Sequence, residues 1–430
     1  MQHFNRGQKI NPRTILLIIA LLFSIDLYSQ KNNHNFFSDI HSVPSSDSTI
    51  QYFYLYKIPV NSLIFSKTND SYSASVQVAI ELSDSNSNFI QRSFKDRKIV
   101  FNDFALTSDL NNFVEGVIKF TSVNKTIIVT STIFDANSQK QIFTKEQTVQ
   151  KLINEDSEFF TEIILSSKIF KCGENSSRVL PNFSGLIPFD NNLYDILIPC
   201  TDTTLVKLYV KVISQKDTVF DGSIERKEVD RLGLTECADR IIISPDSASP
   251  LTSNFYITQI SQKLKEGQIE IIVSKSEKFI KKRSFKLVAR WLNKPRSLSD
   301  PESAIKLLRF IINDDSIKQI LKGGDKYDSL LNKYWKKIDP SPTTEYNELM
   351  AEYYERIDFT IKNFSTITGQ SGVETDRAKI YILYGKPTFI ERSSNADDKI
   401  SEIWIYSKPK KKFIFVDEKG IGEFILKNNL

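Results

Sequence analysis

The chain has 430 residues, of which 40% are hydrophobic and 25% charged, and its formal net charge is +5 at pH 7. A chain of this length exceeds what one hydrophobic core usually serves, so two to four domains are expected. Its many aromatic and few glycine residues favour packed strands over low-complexity segments. The small net charge gives no general electrostatic attraction to nucleic acid or anionic lipid, so no nucleic-acid partner is expected.

Residues 1–29 have the pattern of a cleaved secretory signal peptide. Basic residues precede an apolar run at 15–25, and the small residue Ser29 stands at the expected cleavage point. An uncleaved anchor is the alternative, but the run is short and Asp26 follows it directly. No later apolar run approaches the roughly 20 residues that a spanning helix needs, so no transmembrane span is expected after cleavage. We therefore expect an exported protein, either periplasmic or secreted.

The first half of the chain has the alternation of strands. Residues 30–49 are polar and mixed and predict a leader with little structure. From 50 to 170, apolar and polar residues alternate, which predicts antiparallel strands with one buried face. The clearest stretch places on one face Tyr72, Ala74, Val76, Val78, Ile80 and Leu82. Short strands with no helical stretch between them predict a β-sandwich module.

A second strand block follows a short break. Residues 171–185 concentrate Gly, Ser, Asn and Pro and predict a linker. The block at 186–292 places on one face Val206, Leu208, Val210 and Val212. The expected fold class is therefore multidomain and mainly β: two antiparallel, immunoglobulin-like sandwich modules, then a helical segment and a C-terminal α+β domain.

The pattern changes to a helical period at 296–340. Ser299 or Asp300 can cap a first helix, and Pro301 suits its first turn. Gly323 and Gly324 are expected to end a second helix.

The α+β domain predicted for 341–430 opens with a long helix. Thr343 or Thr344 is the expected cap, and Glu345 and Glu348 are expected in the first turn, where the helix dipole favours anions. Its apolar face is expected to contain Tyr346, Leu349, Met350, Tyr353, Ile357, Ile361 and Phe364.

Four short segments after this helix are predicted to be strands of an antiparallel sheet. They are AKIYILYG, EIWIY, KKFIFVD and IGEFIL, and residues 417–420 offer a hairpin turn between the last two. Gly385 permits a positive φ where the first strand ends, and Pro387 would stop its ladder. The segment SGVETD is then the junction between the long helix and the sheet.

Cysteine and lysine patterns leave alternatives open. Cys172, Cys200 and Cys237 cannot all pair within one chain; a bridge between Cys200 and Cys237 is possible, and buried thiols are an equal alternative. Basic runs at 281–283 and 410–412 lie beside alternating apolar residues. They are expected to be solvated strand edges that discourage edge pairing rather than binding patches.

Much catalytic chemistry is disfavoured by the position of the histidines. His3, His34 and His41 all precede residue 50, so the predicted domains contain none. A Ser–His or Cys–His nucleophile pair and a His-ligated zinc site are therefore not expected. The sequence also lacks a glycine-rich phosphate loop and the oxygen-ligand spacing of an EF-hand. No cofactor or metal site is expected.

The segment GVETD and the arginine after it hold the remaining candidates for chemistry. Glu374 and Asp376, with Arg377 beside them, could perform acid–base work if their surroundings separated the two carboxyl pKa values. In the structural alternative, Thr375 or Asp376 caps or bridges the junction, and Arg377 pairs with an acid such as Glu402. We favour the structural alternative.

Four blocks in order resemble the GWxTD domain, a family of exported proteins best represented in Bacteroidota and related bacteria. They are YWKKIDPSPTTEYNELMAEYYERI, GVETDRAKIYILYGKP, EIWIY and FIFVDEKGIGEFIL. Val373 stands where the family's motif has Trp, so whatever the motif does here is done without an indole ring. The resemblance implies a β-sandwich region before the domain, and it implies no established activity.

The function expected from these patterns is that of an exported, non-catalytic envelope protein, an interaction or assembly module with protein partners in the cell envelope. The alternative is a carboxylate-dependent hydrolase that uses Asp376 with another carboxylate or with Arg377. The motif positions expected to matter in either case are Gly372, Val373, Thr375, Asp376, Gly385 and Pro387.

Overall fold

A computed structural model describes residues 36–44, 49–109, 112–150, 162–367, 369–394 and 399–429. The predicted signal peptide and the first part of the predicted leader lie outside the described residues. The chain divides into two compact units. Unit 1 contains the described residues up to Gly185 together with Leu197–Val206 and Arg226–Phe255; unit 2 contains Leu186–Ile196, Lys207–Glu225 and the residues from Tyr256 onward.

Strands dominate the described residues, which confirms the prediction of a mainly β protein with a helical segment and a C-terminal sheet. The strands that begin before residue 186 are β1 (Phe37–Pro44), β2 (Thr49–Pro59), β3 (Ser66–Thr68), β4 (Ser71–Asp84), β5 (Phe89–Phe101), β6 (Phe113–Val123), β7 (Ile127–Asp135), β8 (Lys140–Val149), β9 (Ile164–Ser166), β10 (Ile169–Cys172) and β11 (Asn175–Arg178).

The strands that follow are β12 (Leu186–Pro188), β13 (Asp195–Cys200), β14 (Lys207–Ser214), β15 (Asp217–Cys237), β16 (Arg240–Pro245), β17 (Leu251–Ile257), β18 (Gly267–Ser274), β19 (Lys282–Arg290), β20 (Phe389–Ser394), β21 (Ile400–Tyr406), β22 (Lys411–Asp417) and β23 (Phe424–Asn429). The α-helices are α1 (Pro301–Leu307), α2 (Asp314–Leu321), α3 (Tyr327–Lys337), α4 (Glu348–Asn363) and α5 (Asp376–Tyr384).

Two sheets of unit 1 share one core. A three-stranded sheet has the order β1-β2-β6, and a second sheet has the order β3-β4-β7-β8 with β5 also paired to β4. Apolar residues of both sheets meet in this core, among them Tyr52, Tyr54 and Tyr56 from β2 and Val76, Val78 and Ile80 from β4. The period of two that predicts β4 is therefore the period of its buried face.

The predicted leader is wrong at residues 37–44, which form strand β1. This strand pairs antiparallel with β2 over its whole length, and Phe37 packs against the ring of Phe183 at 5.2 Å between centroids. Main-chain pairing does not depend on apolar side chains, so the polar composition did not prevent a strand. His41 therefore lies in a folded strand, buried, with its Nε2 3.6 Å from Asp39 Oδ2.

The disulfide joins Cys172 to Cys237, so the bridge considered between Cys200 and Cys237 is wrong. Cys172 ends the first strand of the hairpin β10–β11, within the segment predicted as a linker, and Cys237 ends β15 where that strand turns into β16. A bridge between Val179 and Ile242 holds the chain after β11 beside β16. Cys200 is buried in β13 and lies outside the disulfide.

Unit 2 contains a strand layer, the helices and the terminal sheet. β15 contributes its first part to this unit, where the strand order is β12-β19-β18-β14-β15, and the terminal sheet has the order β20-β21-β22-β23. Asp300 caps α1 by accepting a hydrogen bond from the amide of Glu302, and Pro301 is the first helical residue, as predicted. One core cluster includes Trp291, Trp335 and Trp404.

The start of the long helix α4 differs from the prediction. Asn347 is the cap and accepts a hydrogen bond from the amide of Met350, whereas the Thr344 hydroxyl donates to Ser341 O in the preceding turn. The expected caps Thr343 and Thr344 are therefore wrong, and of the two glutamates only Glu348 lies in the first turn. Asn347 directly precedes the helix, so its side-chain oxygen reaches the free N–H groups of the first turn, whereas Thr343 and Thr344 lie too far before them.

The segment AKIYILYG is helical, so its prediction as a strand is wrong. It forms most of α5, which packs against α4 and β23. Its β-branched and aromatic residues favour strands in isolation, but Ile380 and Ile382 are buried in the core cluster and Tyr381 stacks on Phe359 at 4.3 Å. Tertiary packing thus overrides local propensity.

We predict that replacing both Cys172 and Cys237 with Ser lowers the free energy of unfolding. The bridge closes a separation of 65 residues, and the chain-entropy estimate for such a loop is about 4 kcal/mol. Urea denaturation with and without a reducing agent checks this prediction. The reductant should destabilise the wild type and leave the double variant unchanged; a wild type indifferent to reduction would contradict the assignment.

The candidate site at the GVETD segment

Gly372 is placed where a side chain cannot fit. It begins a short 3-10 turn, Gly372–Glu374, after Ser371. A Cβ atom on Gly372 would lie 2.0 Å from the carbonyl oxygen of Thr360 in α4, closer than non-bonded atoms approach. Its amide donates to Ser365 Oγ at 3.1 Å. The glycine of the motif therefore holds this turn against the end of α4.

Val373 and Thr375 turn the chain from this contact into α5. Val373 is buried and belongs to the core cluster of unit 2, so the position of the family's Trp serves packing here. Thr375 caps α5: its Oγ1 accepts a hydrogen bond from the amide of Ala378 at 3.2 Å and donates to Gly372 O at 2.9 Å. The predicted cap is thus confirmed, although it caps a helix that the sequence did not predict.

Asp376 bonds the first turn of α5 to the last strand. Its Oδ2 accepts a hydrogen bond from the amide of Leu426 in β23 at 3.0 Å, and its Oδ1 lies 2.9 Å from Lys379 Nζ. Partial burial raises the carboxyl pKa, but the Leu426 amide and the Lys379 ammonium outweigh burial, and the pKa of Asp376 is lowered from its ordinary value. Both oxygens are occupied by structural partners.

Arg377 crosses the core side of the sheet between two aromatic rings. Its guanidinium carbon lies 4.1 Å from the ring centroid of Phe424 and 4.8 Å from that of Phe364. Its Nη1 lies 3.5 Å from Glu402 Oε2, and its Nη2 donates to Gly422 O at 3.4 Å. The predicted ion pair between Arg377 and Glu402 is therefore present. Burial lowers the pKa of Arg377.

Glu402 is the centre of this cluster. It is only 2% exposed. Besides Arg377, it accepts from Arg392 Nε to Oε1 at 2.9 Å and from Trp404 Nε1 to Oε2 at 3.1 Å. We call Arg377, Arg392, Glu402 and Trp404 the Glu402 cluster. It joins α5, β20 and β21, and each carboxylate oxygen has at least one charged donor.

The hairpin turn between β22 and β23 completes the surroundings of Arg377. Asp417 is buried and accepts hydrogen bonds from the amides of Ile421 at 3.2 Å and Gly422 at 2.7 Å. Gly422 has φ +79°, a backbone region that glycine adopts at no steric cost. Asp417 therefore fixes the turn whose carbonyl receives Arg377, and this explains the DEKG turn that the sequence predicts.

The remaining motif residues lie at the other end of α5. Gly385 follows the helix with φ +75°, as the sequence suggested, and a Cβ atom there would lie 3.0 Å from Arg356 Nη2. Arg356 Nη1 donates to Ile382 O at 2.9 Å, which satisfies a carbonyl at the helix end. Pro387 precedes β20 and does not end a strand, because the segment before it is helical.

Glu374 is separate from the buried cluster. Its side chain is exposed and lies 3.7 Å from an arginine nitrogen, Nη2 of Arg309. The structure thus places Thr375, Asp376 and Arg377 beside the terminal sheet, whereas Glu374 lies at the surface. Sequence reasoning missed Arg392, which lies opposite Glu402 on the neighbouring strand, and Trp404, which lies two residues after Glu402 on the same strand.

The motif lies apart from the cavity found in unit 2. In the part of the chain that the structure describes, no cluster of three or more His, Cys, Asp or Glu side chains is placed to hold a metal ion. A cavity of about 850 Å³ in unit 2 is lined by residues such as Trp291, Leu331 and Trp335, and no residue of 372–377 lines it. The buried His41 has no described hydrogen-bond partner at Nδ1.

The described residues are rich in strands, and their C-terminal part is a helical segment followed by an antiparallel sheet. Residues 272–426 match the GWxTD domain family. The match confirms the resemblance of the C-terminal region to this family that the four sequence blocks indicated. No curated protein matches the chain.

One solved structure similar to the chain is "Biofilm associated protein - BSP domain". The match has 11% sequence identity and a TM-score of 0.16, and it covers 63% of this chain and 55% of that chain. So low a score supports no argument about fold or function.

Among the described residues, no helix combines the length and apolar character needed to cross a membrane.

The two arginines of the Glu402 cluster make a matched pair for mutation. Arg377 is 12% exposed in its side chain and Arg392 is 72% exposed. We predict that Arg377→Met costs about 3 kcal/mol of unfolding free energy, because it leaves a buried carboxylate without its buried cation. Arg392→Met should cost less, about 1 kcal/mol, because Arg392 itself is largely exposed and solvent screens its charge. Urea denaturation of both variants measures this difference, and equal losses would contradict the account.

Proposed function

We propose that this protein is an exported, non-catalytic component of the cell envelope that acts as an interaction or assembly module. Export rests on the signal-peptide pattern of residues 1–29. The non-catalytic role is supported by one observation: the polar side chains of the motif are engaged in bonds within the protein. The side chains of Thr375, Asp376 and Arg377 each bond to a backbone group or a buried side chain within unit 2.

Acid–base catalysis would need a group that is free to exchange a proton with a substrate. An efficient catalytic group has a pKa near the working pH and hydrogen-bond access to the reacting atom. The pKa of Asp376 is instead lowered from its ordinary value, so its carboxylate is charged at neutral pH and cannot serve as an acid. As a base it would first have to release Leu426 or Lys379. These features support a structural role for the motif.

The Asp376→Asn variant distinguishes this role from the alternative hydrolase. Since the folded-state pKa of Asp376 is lowered, its ionised form stabilises the fold above the ordinary pKa near 4, and this contribution is lost as the pH falls through the folded value. We predict that the variant loses about 1 kcal/mol at pH 7 and that the difference from the wild type shrinks as the pH falls below the ordinary carboxyl pKa of about 4.

Thermal denaturation across this pH range gives the measurement, with Glu374→Gln as the control, because Glu374 is an exposed carboxylate two residues away. The control should change little. A hydrolase would show the opposite pattern for Asp376→Asn: unchanged melting at every pH together with a lost cellular phenotype.

The interaction role predicts a reproducible protein partner. The tagged protein, produced by export in its host, should recover the same partner from crosslinked envelope fractions in repeated purifications. The Asp376→Asn protein should recover it too, because the motif is structural. Purified partner should then bind purified protein. Repeated purifications without any common partner would contradict the proposal.

A further inference from the structure

Lysines from two separate turns lie at one corner of the terminal sheet. The turn between α5 and β20 contains Lys386, and the hairpin between β21 and β22 contains Lys408 and Lys410. The two turns are hydrogen-bonded to each other: the amide of Ser407 donates to Thr388 Oγ1 at 3.0 Å. Residues far apart in the chain thus form one basic surface.

This basic corner consists of Lys386, Lys408, Lys410 and Lys412, with Lys411 folded back over the ring of Tyr384 at 5.3 Å. Neither 377–390 nor 403–416 contains an acidic residue. Lys386, Lys408 and Lys410 are exposed, and none of the four corner lysines makes an ion pair within the described part of the chain. Their charges therefore add up over a short distance, which the small net charge of the whole chain conceals.

Protection of a strand edge accounts for only part of this corner. β22 carries Lys411 and Lys412, pairs with β21 along its whole length and meets β23 only from Phe413 onward. The other basic run, at 281–283, is similar, because it begins β19, which pairs with β18 there and meets β12 only at residues 288–290. The predicted edge role therefore fits the strand residues of both runs. It does not explain Lys386, Lys408 and Lys410, which lie in turns outside the strands.

Apolar side chains adjoin the lysines on the face of the sheet that points away from the helices. Phe389, which is 63% exposed, pairs with Ile405, and Ile405 pairs with Lys412. Ile403 and Ile414 form the next row on the same face, where the exposed Glu391 pairs with Ile403. None of these apolar residues belongs to the buried core of unit 2. The surface is thus an apolar strip with lysines at one end and a single carboxylate, Glu391, on its second row.

From this juxtaposition we infer that the corner docks on the headgroup region of an anionic lipid bilayer. Lysines act as hydrated point charges suited to a fluid anionic surface, whereas recognition of fixed carboxylates on a protein favours the bidentate fork of arginine, and this corner has none. An exposed Phe beside lysines suits the boundary between headgroups and acyl chains. The inference rests on the proposed location in the envelope and adds a lipid surface to it.

The expected binding is peripheral and reversible. Each lysine near an anionic surface strengthens partitioning about fivefold, so four lysines account for several hundredfold. The attraction is screened over about 10 Å at ordinary salt, which makes it sensitive to ionic strength.

Vesicle flotation of the full chain tests this inference. The protein is produced by export, so that every variant has the same N-terminus. Vesicles of phosphatidylcholine alone are compared with vesicles in which about a third of the lipid is phosphatidylglycerol. One variant changes Lys386, Lys408, Lys410 and Lys412 to Gln. The matched control changes four exposed lysines elsewhere to Gln: Lys278, Lys281, Lys282 and Lys286.

The wild type and the control should float with the phosphatidylglycerol vesicles alone, and the corner variant should bind at least a hundredfold more weakly. Raising the salt should release the wild type, a test that needs no variant. Equal binding to both vesicle types, no binding, or equal loss in the control would each overturn the inference. If flotation fails while a protein partner is recovered, the lipid docking is wrong and the proposed function stands.

Discussion

The buried carboxylate of Glu402 is the constraint on which the terminal part of this protein depends. A carboxylate removed from water is unfavourable unless charged donors surround it. Here Arg377, Arg392 and the indole of Trp404 surround it, and they come from α5, β20 and β21. The three elements must therefore be in place together for the charge to be tolerated, and the cluster specifies how the helix lies on the sheet.

Each residue of the GVETD motif that is buried or partly buried makes a structural contact within this arrangement. Gly372 allows close contact with the end of α4, Thr375 caps α5, and Asp376 holds β23 through the amide of Leu426. Arg377 then reaches the Glu402 cluster. Val373 fills its place by packing, so the segment forms these contacts without the ring that gives the family its name. A motif used in this way positions the helices and the sheet of the domain relative to one another.

The sequence predicted some of these features because they depend on local chemistry. The cap Asp300 with Pro301 after it, the alternation in β4, the cap Thr375 and the partner of Arg377 each follow from neighbouring residues or from simple charge pairing. Long-range packing decided the others. AKIYILYG has strand propensity, yet it is helical because its apolar residues contact α4 and the sheet. The pairing of Cys172 with Cys237 depends on two hairpins being adjacent, and β1 depends on pairing with β2.

A double-mutant cycle between Arg377 and Glu402 tests the central claim most directly. The single variants Arg377→Met and Glu402→Gln and their combination are compared by urea denaturation. Because the two side chains belong to one buried cluster, we expect a coupling free energy of about 2 kcal/mol, within the range for residues in contact. A coupling near zero, with the two losses simply additive, would show that the cluster does not determine the fold of this domain.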